Sequence, residues 1–528
     1  LVEETESLAR AGRLELSGRG DVISRRSVLS GAAVAAGLAA APAYAAQKSP
    51  SAITELGLVD LSRAIRAREV SCLEVMRGYL GRIEAINPRV NAIVSLRPAR
   101  ELLAEAEAAD RRLAAGEAVG ALHGVPQAIK DLVDVAGMRG TRGSPLYKDH
   151  IARTDSPYVA KIRGAGAIIV GMTNVPEFGL GSHTFNPIFG ATLNPYDLTK
   201  SAGGSSGGGA VAVATRMLPA ADGSDHAGSL RNPAAWNNIY GFRTSYGRVA
   251  VTGGFYTSLS VNGTMGRTPA DVGRLLSVMS GYDARAPLAI DEDPQVFAGD
   301  LRRDFAGARI GWLGDFGGAV PYEPGVLDVC TSAFAAFEQL GCRIAPALPD
   351  YKVEDAWQAW TILRALETGP SLVEHYDDPA RRPLLKPEAQ FEVEAMKRLT
   401  AYDVSRAMAG RNAWYRAVAA LFEQFDFLIA PGAQVFPFDA KLRWPEQIAG
   451  RQMRSYHEWM QGLVLITMAG LPSLCAPAGF GPGGLPMGLQ IIGRRNRDLD
   501  CLQLAAAYHA VTDWPRRRPP PLRPLRSA

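Results

Sequence analysis

Two Gly/Ser-dense segments hold the residues best suited to chemistry. One runs Ser201-Ala202-Gly203-Gly204-Ser205-Ser206-Gly207-Gly208-Gly209. The other runs Gly223-Ser224-Asp225-His226-Ala227-Gly228-Ser229-Leu230-Arg231. Glycine lets main-chain N–H groups come close to a ligand. A nucleophilic Ser needs a base within hydrogen-bond reach, and N–H donors aimed at the oxyanion that develops on attack. Ala227-Gly228-Ser229 can supply such donors. Either segment taken alone also reads as a flexible loop. A lone Lys can be the base when burial keeps it neutral, because desolvation penalises the charged form. Lys130, in Gly124-Val125-Pro126-Gln127-Ala128-Ile129-Lys130-Asp131, follows an apolar strand-like stretch and would point inward. The competing reading is a surface Lys paired with Asp131 or Asp134.

Other chemistries lack their residues. There is no G-x-x-x-x-G-K-[ST], so the glycines at 203–209 are not a P-loop. There is no H-E-x-x-H, and the seven His are dispersed, which argues against a zinc site. The five Cys (Cys72, Cys330, Cys342, Cys475, Cys501) form no C-x-x-C. Cys330 and Cys342 could pair in an oxidising space, although buried free thiols are the simpler expectation.

Lys130 in "HGVPQAIKDLVDV", then "GGSSGGG", "GSDHAGSLRNPAA" and "GFRTSYGRV", together resemble the amidase signature family, and "TNVPEFGLGSHTFNPIFGATLNPYDLTKSAGGSSGG" resembles its lead-in. The resemblance runs from about Leu58 to Gly493. It includes the separation of 24 residues between Ser205 and Ser229. It implies an amidase that hydrolyses a non-peptide carboxamide to an acid and ammonia or an amine. By the same resemblance Ser229 is the nucleophile and Lys130 the buried base. Ser205 is the bridging Ser, preceded by a cis Gly204–Ser205 bond. The N–H groups of His226, Ala227, Gly228 and Ser229 hold the oxyanion. Water then hydrolyses an acyl-enzyme, with no metal or organic cofactor. Asp225 and Arg231 are expected to form a structural ion pair that holds the loop, and Asn174 and Glu177 to brace the site. The chain departs from the family's D-T-G-G-S, with His226 in place of Thr and Ala227 in place of Gly. That leaves His226 either to contact substrate and shift the pH optimum or merely to fill space. Gln127 replaces a commonly apolar position.

Three rival functions share parts of this pattern. Gly203-Gly204-Ser205-Ser206-Gly207 satisfies G-x-S-x-G, which would make Ser205 the nucleophile of a serine esterase of the α/β-hydrolase type. That elbow needs a preceding strand, and Asp197–Gly204 is polar and a poor strand. The amidotransferase subunit that amidates mischarged tRNA shares the signature. A non-catalytic binding protein on the same scaffold is the third. Ester cleavage as a side activity of the amidase is expected.

The elements that must position these residues alternate between strand and helix and read as an α/β layered fold, which the resemblance implies is a large mixed β-sheet covered by helices on both faces. Helical periodicity runs over 58–86, and further helices are expected over 100–115, 326–340 and 401–425. Strands are expected at 167–170, 309–313, 427–430 and 487–492. A single amidase domain spans about 46–515. Within it 350–452 reads as a helical insertion shaping the pocket, with Trp357, Trp360, Tyr376, Tyr456 and Trp459 as candidate walls or simply core.

The chain has 528 residues, 47% of them hydrophobic and 21% charged, which excludes low-complexity disorder and a disulfide-built miniprotein. Its 57 basic and 53 acidic residues give a net charge of +4. The basic Pro/Arg-rich tail, 516–528, has five Arg and no acid, and accounts for this excess. No nucleic-acid-binding face is therefore expected, and the partner is a small-molecule amide. Arg25-Arg26, an apolar run over Val28–Ala41 and Ala43-Tyr44-Ala45 read as a twin-arginine signal peptide, with cleavage after Ala45. That implies export to the periplasm or beyond. Residues 1–23 are assigned no fold. The apolar run is shorter than a membrane span, and no stable membrane insertion is expected. The oligomeric state, monomer or homodimer, is left open.

Overall fold

Short apolar runs bounded by Gly or Pro become the strands. A computed structural model describes residues 49–522 apart from 252–253 and 256–257, all within one unit, Ala46–Ala528. The twin-arginine segment, the cleavage site and the last six residues of the tail lie outside the described residues.

The strands that matter for the site are β1 (Ile93–Val94), β2 (Pro126–Lys130), β3 (Ile168–Thr173), β4 (Ala220–Asp225), β5 (Tyr240–Arg243), β6 (Val261–Gly266), β7 (Arg309–Trp312), β8 (Arg343–Pro346), β9 (Phe427–Pro431), β10 (Ser473–Phe480) and β11 (Pro486–Ile492). Eight of them form a mixed sheet in the order β8-β7-β9-β11-β10-β5-β6-β4. β7 runs parallel to β8 and β9, and the other pairings are antiparallel. A second sheet has the order β1-β3-β2, with β2 parallel to β3.

The helices used below are α1 (Cys72–Val90), α2 (Gly207–Ala214), α3 (Arg231–Asn237), α4 (Pro269–Met279), α5 (Val353–Thr368), α6 (Pro387–Lys397), α7 (Ala401–Leu421), α8 (Gln461–Met468) and α9 (Asp498–Thr512). Alternation along β6 shows that they cover both faces of the large sheet. Gly263 and Met265 face Leu230 and Gly209, on the side of α3 and α2. Thr264, between them, donates its hydroxyl to the Val272 carbonyl of α4 at 3.0 Å. Gly273 of α4 in turn approaches Leu502 of α9. α2 and α8 are buried at every position, as expected of helices without a polar face.

Several elements differ from expectation. The helix read over 58–86 is two helices, Leu58–Arg66 and α1. Arg68 adopts φ 55°, and Ser71 and Glu74 then form a reciprocal capping box that starts α1 afresh. The stretch 326–340 breaks at Ala333 into Val326–Ser332 and Phe334–Gln339. Asp197–Ser201 is a strand after all, paired with Leu193–Asn194 outside the main sheet. The helical character of 350–452 ends at Leu421, and β9 then enters the large sheet between β7 and β11. All five Cys are buried and free, so Cys330 and Cys342 are unpaired. The basic tail begins docked rather than solvated. Arg518 lies 3.8 Å over the Phe480 ring, its carbonyl accepts from Tyr196 Oη at 2.8 Å, and Leu522 is buried. Among the described residues no helix is long and apolar enough to cross a membrane.

Candidate active site

β2 is buried at all five positions and ends on Lys130, so the strand carries an amine into the interior. Lys130 is 1% exposed. Its Nζ lies 2.8 Å from Ser205 Oγ, 2.8 Å from Ser206 Oγ, 2.9 Å from Ser224 Oγ and 3.3 Å from the Ser224 carbonyl. Burial pushes the amine down to about 7, against the pull of the Asp222 and Asp225 carboxylates in the other direction. Neither partner of the surface reading takes part. Asp131 accepts from the Thr141 N–H and hydroxyl at 2.8 and 2.5 Å. Asp134 lies 3.6 Å from both Arg142 and His150.

The hydrogen bonds around Nζ suit a neutral amine. Such an amine offers two N–H donors and one lone pair. Ser224 can take one N–H. Ser206 can take the other while donating its own hydroxyl hydrogen to the Ser224 carbonyl at 3.3 Å. The lone pair then remains for the Ser205 O–H.

Ser205 sits in the turn between the Asp197–Ser201 strand and α2, after a cis Gly204–Ser205 peptide. Asn232 Oδ1 accepts the Gly204 N–H at 3.2 Å. Gly179 of the lead-in closes over the turn: a Cβ there would stand 3.5 Å from Ser205 Oγ. The strand–turn–helix context of an esterase elbow is therefore present, but among the described residues no His bonds to Ser205 Oγ. His183 engages Ser201 at 2.7 Å and the Ala440 carbonyl at 3.0 Å, while Ser205 faces Lys130.

The second segment follows β4 and leads into α3. Asp225 accepts from Arg231 Nη2 at 2.8 Å and Nε at 3.0 Å, and Arg243 Nη1 lies 3.4 Å from the same carboxylate. All three are fully buried. Burial alone would raise the Asp225 carboxyl; the Arg231 and Arg243 charges overcome it and hold it well below the usual carboxylate range. Arg231 also donates to the Leu463 carbonyl, Gln490 Oε1 and Thr467 Oγ1 at 2.7–2.9 Å, which ties the loop to α8 and β11.

The same carboxylate corrects one expectation about the oxyanion donors. Asp225 Oδ1 accepts the Gly228 N–H at 3.0 Å, so that donor is directed at Asp225 rather than at a substrate. The N–H groups of His226, Ala227 and Ser229 have no hydrogen-bond partner among the described residues. Gly228 adopts φ 104°, and a Cβ there would lie 2.4 Å from Leu463 Cδ1. Ser229 keeps 7% exposure, and its hydroxyl has no described partner.

His226 packs edge-on against Trp360 at 6.0 Å, and its Nε2 is buried without a partner among the described residues. Burial, with Arg364 and Arg243 nearby, pushes the ring well below its ordinary range. The imidazole is thus neutral near neutral pH. Trp360 stacks on Trp357 at 5.0 Å and meets His457 edge-on at 5.0 Å. Glu392 accepts from His457 Nε2 at 2.8 Å, from Arg364 Nε at 3.0 Å and from the Tyr456 hydroxyl. Trp459 stacks on Trp236 instead, at 6.0 Å. Tyr376 stands apart, its hydroxyl donating to Glu394 and Arg382 lying 4.0 Å over its ring. Of the five aromatics read as pocket walls, Trp360 alone packs against the 226–229 segment among the described residues, edge-on to His226.

Asn174 and Glu177 brace the lead-in. Asn174 Nδ2 donates to Thr192 Oγ1 at 3.0 Å, and its carbonyl accepts the Gly208 N–H of α2 at 3.2 Å. Glu177 accepts from Ser144 Oγ at 2.6 Å and from the Lys386 N–H at 3.1 Å. Gln127 is fully buried with its amide unpartnered among the described residues, which nothing in the structure explains. No group of three or more His, Cys, Asp or Glu among the described residues is placed to hold a metal.

Three residues that reading for motifs missed complete the cluster: Ser206, Ser224 and Asp222. Period-two alternation in a strand would have found two of them, since positions 222 and 224 lie on one face of β4. Asp222 accepts the Lys130 backbone N–H at 3.1 Å and the Tyr158 hydroxyl at 2.7 Å.

A buried amine joined to two serines of a glycine-rich turn and one of strand β4 forms the centre of this site, and sequence comparison identifies the family. Residues 74–502 match the family described as Amidase. The chain belongs to the amidase signature family, whose enzymes hydrolyse amide C–N bonds. It is 34% identical to an acylamidase of Rhodococcus erythropolis, over 88% of this chain and 97% of that protein. It is also 34% identical to a subunit of the glutamyl-tRNA(Gln) amidotransferase of Ralstonia nicotianae, over 88% of this chain and 100% of that one. Among solved structures, a bacterial aryl acylamidase superposes with a TM-score of 0.81 and 30% identity, over 91% of this chain and 99% of that one.

Proposed function

We propose that the chain hydrolyses a small, non-peptide carboxamide through an acyl-enzyme, with Ser229 as nucleophile, Ser205 as relay and Lys130 as base. The Ser229 proton passes to Ser205 Oγ as the Ser205 proton passes to Lys130 Nζ, and Ser229 Oγ bonds to the carbonyl carbon. The N–H groups of His226, Ala227 and Ser229 stabilise the oxyanion. Reversal of the relay protonates the leaving nitrogen, the C–N bond breaks, and water then releases the acid. The observation that carries this reading is the 2.8 Å contact between a buried Lys130 amine, lowered to about 7, and Ser205. The test is a serine-directed fluorophosphonate with mapping of the adduct. An adduct on Ser229 supports the assignment; one on Ser205 overturns it.

The amidotransferase relatives keep a second reading alive, because one is as similar as the acylamidase. The purified chain alone should release amine from 4-nitroacetanilide. Silence across a broad amide panel, with activity restored only by partner subunits, would favour the amidotransferase. Export remains part of the proposal. It rests on Arg25-Arg26, the apolar run and Ala43-Tyr44-Ala45. Cell fractionation, with Arg25→Lys/Arg26→Lys retained in the cytoplasm, tests it.

A further inference from the structure

β4 is the outermost strand of the eight-stranded sheet, and β2 is the outermost strand of the three-stranded sheet. β4 pairs with β6, and β2 with β3. Between the two edges the link is made by side chains. Asp222 Oδ1 and Oδ2 lie 3.1 and 3.3 Å from the Lys130 backbone N–H, and Tyr158 Oη donates to Oδ2 at 2.7 Å. Two residues further along β4, on the same face, Ser224 meets the amine of the same lysine. Asp222, Lys130 and Tyr158 are all buried.

We propose that Asp222, oriented by the Tyr158 hydroxyl, is a positioning residue: it pins the Lys130 backbone against β4 and supplies a negative charge that biases the amine towards its protonated form. This rests on Lys130 being the base. The groups facing the amine are Ser205, Ser206 and Ser224. The nearby charges are Asp222 and Asp225, the latter paired to Arg231 and Arg243, while Asp131 is turned to Thr141. Asp222 itself faces Tyr158 and Lys130, and its partner across the ladder on β6 is the uncharged Thr264. Burial pushes the Asp222 carboxyl up to about 6, and the hydrogen bonds from Tyr158 and the Lys130 N–H hold it from rising further. Those two hydrogen bonds favour its ionised form. A charge of this kind makes the amine give up its proton at a higher pH than burial alone would set. The strand edge thus carries a counterweight that keeps the base titrating near neutrality.

The experiment uses the full chain and the rate of fluorophosphonate labelling at Ser229 between pH 5 and 9, alongside 4-nitroacetanilide hydrolysis. In the parent the rate falls as pH drops through the titration of Lys130. Asp222→Asn keeps the shape and an acceptor for the Lys130 N–H but removes the charge. Its acid midpoint should move down by on the order of one pH unit, so that labelling at pH 6 rises several-fold relative to its own plateau. Tyr158→Phe removes the hydrogen bond that favours ionised Asp222. It should move the midpoint in the same direction by less, and add nothing to Asp222→Asn in the double variant. A midpoint unmoved in folded Asp222→Asn overturns the proposal. If that variant does not fold, an unmoved midpoint in Tyr158→Phe does so. Failure of the underlying reading looks different: Lys130→Ala would then label Ser229 at the parent rate.

Discussion

A lysine ammonium in water keeps its proton until well above neutrality. Lys130 departs from this because its amine is buried among three serines, and burial outweighs the opposing pull of the Asp222 and Asp225 carboxylates. Two outcomes follow. Lys130→Ala should lower amide turnover by about 10²–10⁴-fold, the range for losing a general base, with an unchanged circular dichroism spectrum. The parent's kcat/KM should fall on the acid side near pH 7, as the lowered amine takes up its proton. The same shift has a sign for stability. With the folded-state value below the unfolded one, the unfolded chain binds more protons between the two, so unfolding free energy rises with pH across that window. Urea titrations of the parent and Lys130→Met should therefore diverge with pH, in favour of the parent, by up to about 1.4 kcal/mol per pH unit. The amine's neighbours were only partly readable in the sequence. Ser205 lies in a recognisable motif. Alternation puts Asp222 and Ser224 on one face of β4, but they meet Lys130 only because two sheet edges come together, and no local pattern records that meeting.

The turn from β4 to α3 is built around one carboxylate. Asp225 receives the Gly228, Leu230 and Arg231 N–H groups as well as the Arg231 guanidinium, so the backbone that presents Ser229 is wrapped around it. Removing one partner of a buried pair leaves the other charge uncompensated, at about 3–5 kcal/mol. Asp225→Ala strands both Arg231 and Arg243. It should lower the urea midpoint by that order and abolish fluorophosphonate labelling. A midpoint close to the parent's would mean that the ion pair contributes little to the turn. The Asp225–Arg231 pairing could be anticipated from their places on either side of Ser229 in the motif, but the competition for Gly228 could not. Whether an N–H points at substrate or at a side chain depends on the φ of one glycine. Helix boundaries show the same division. The apolar runs of β9 and β11 announce themselves. The break before α1 is signalled only by Ser71-x-x-Glu74, a pattern easily overridden by the continuous periodicity around it.

Helices α5–α7 lie between β8 and β9 in the chain, and Glu392 on α6 links this cover to the side of the molecule that carries the 226–229 segment. It holds Arg364 of α5 and both Tyr456 and His457, while Trp360 of α5 stands between His457 and His226. None of these contacts is local in sequence, and Glu392 is unremarkable in its own helix. The aromatics of this region could be picked out by residue type, but their partners could not. Trp459 went to Trp236 in the core, and half-buried Tyr376 to Glu394, Arg382 and a small apolar cluster around Leu372. Arg364 keeps its charge because Glu392 answers it, so Glu392→Gln weakens every contact of the hub at once while preserving its shape. Amide hydrogen exchange should then quicken in α5 and α6 while β5, β10 and β11 keep the parent's protection, since local opening follows the loss of local contacts. The reaction should respond through binding: because Trp360 packs on His226, a loosened cover should raise KM for 4-nitroacetanilide several-fold with kcat changed by less. Uniform loss of protection across cover and sheet would show instead that Glu392 stabilises the whole domain and gives the cover no separate motion.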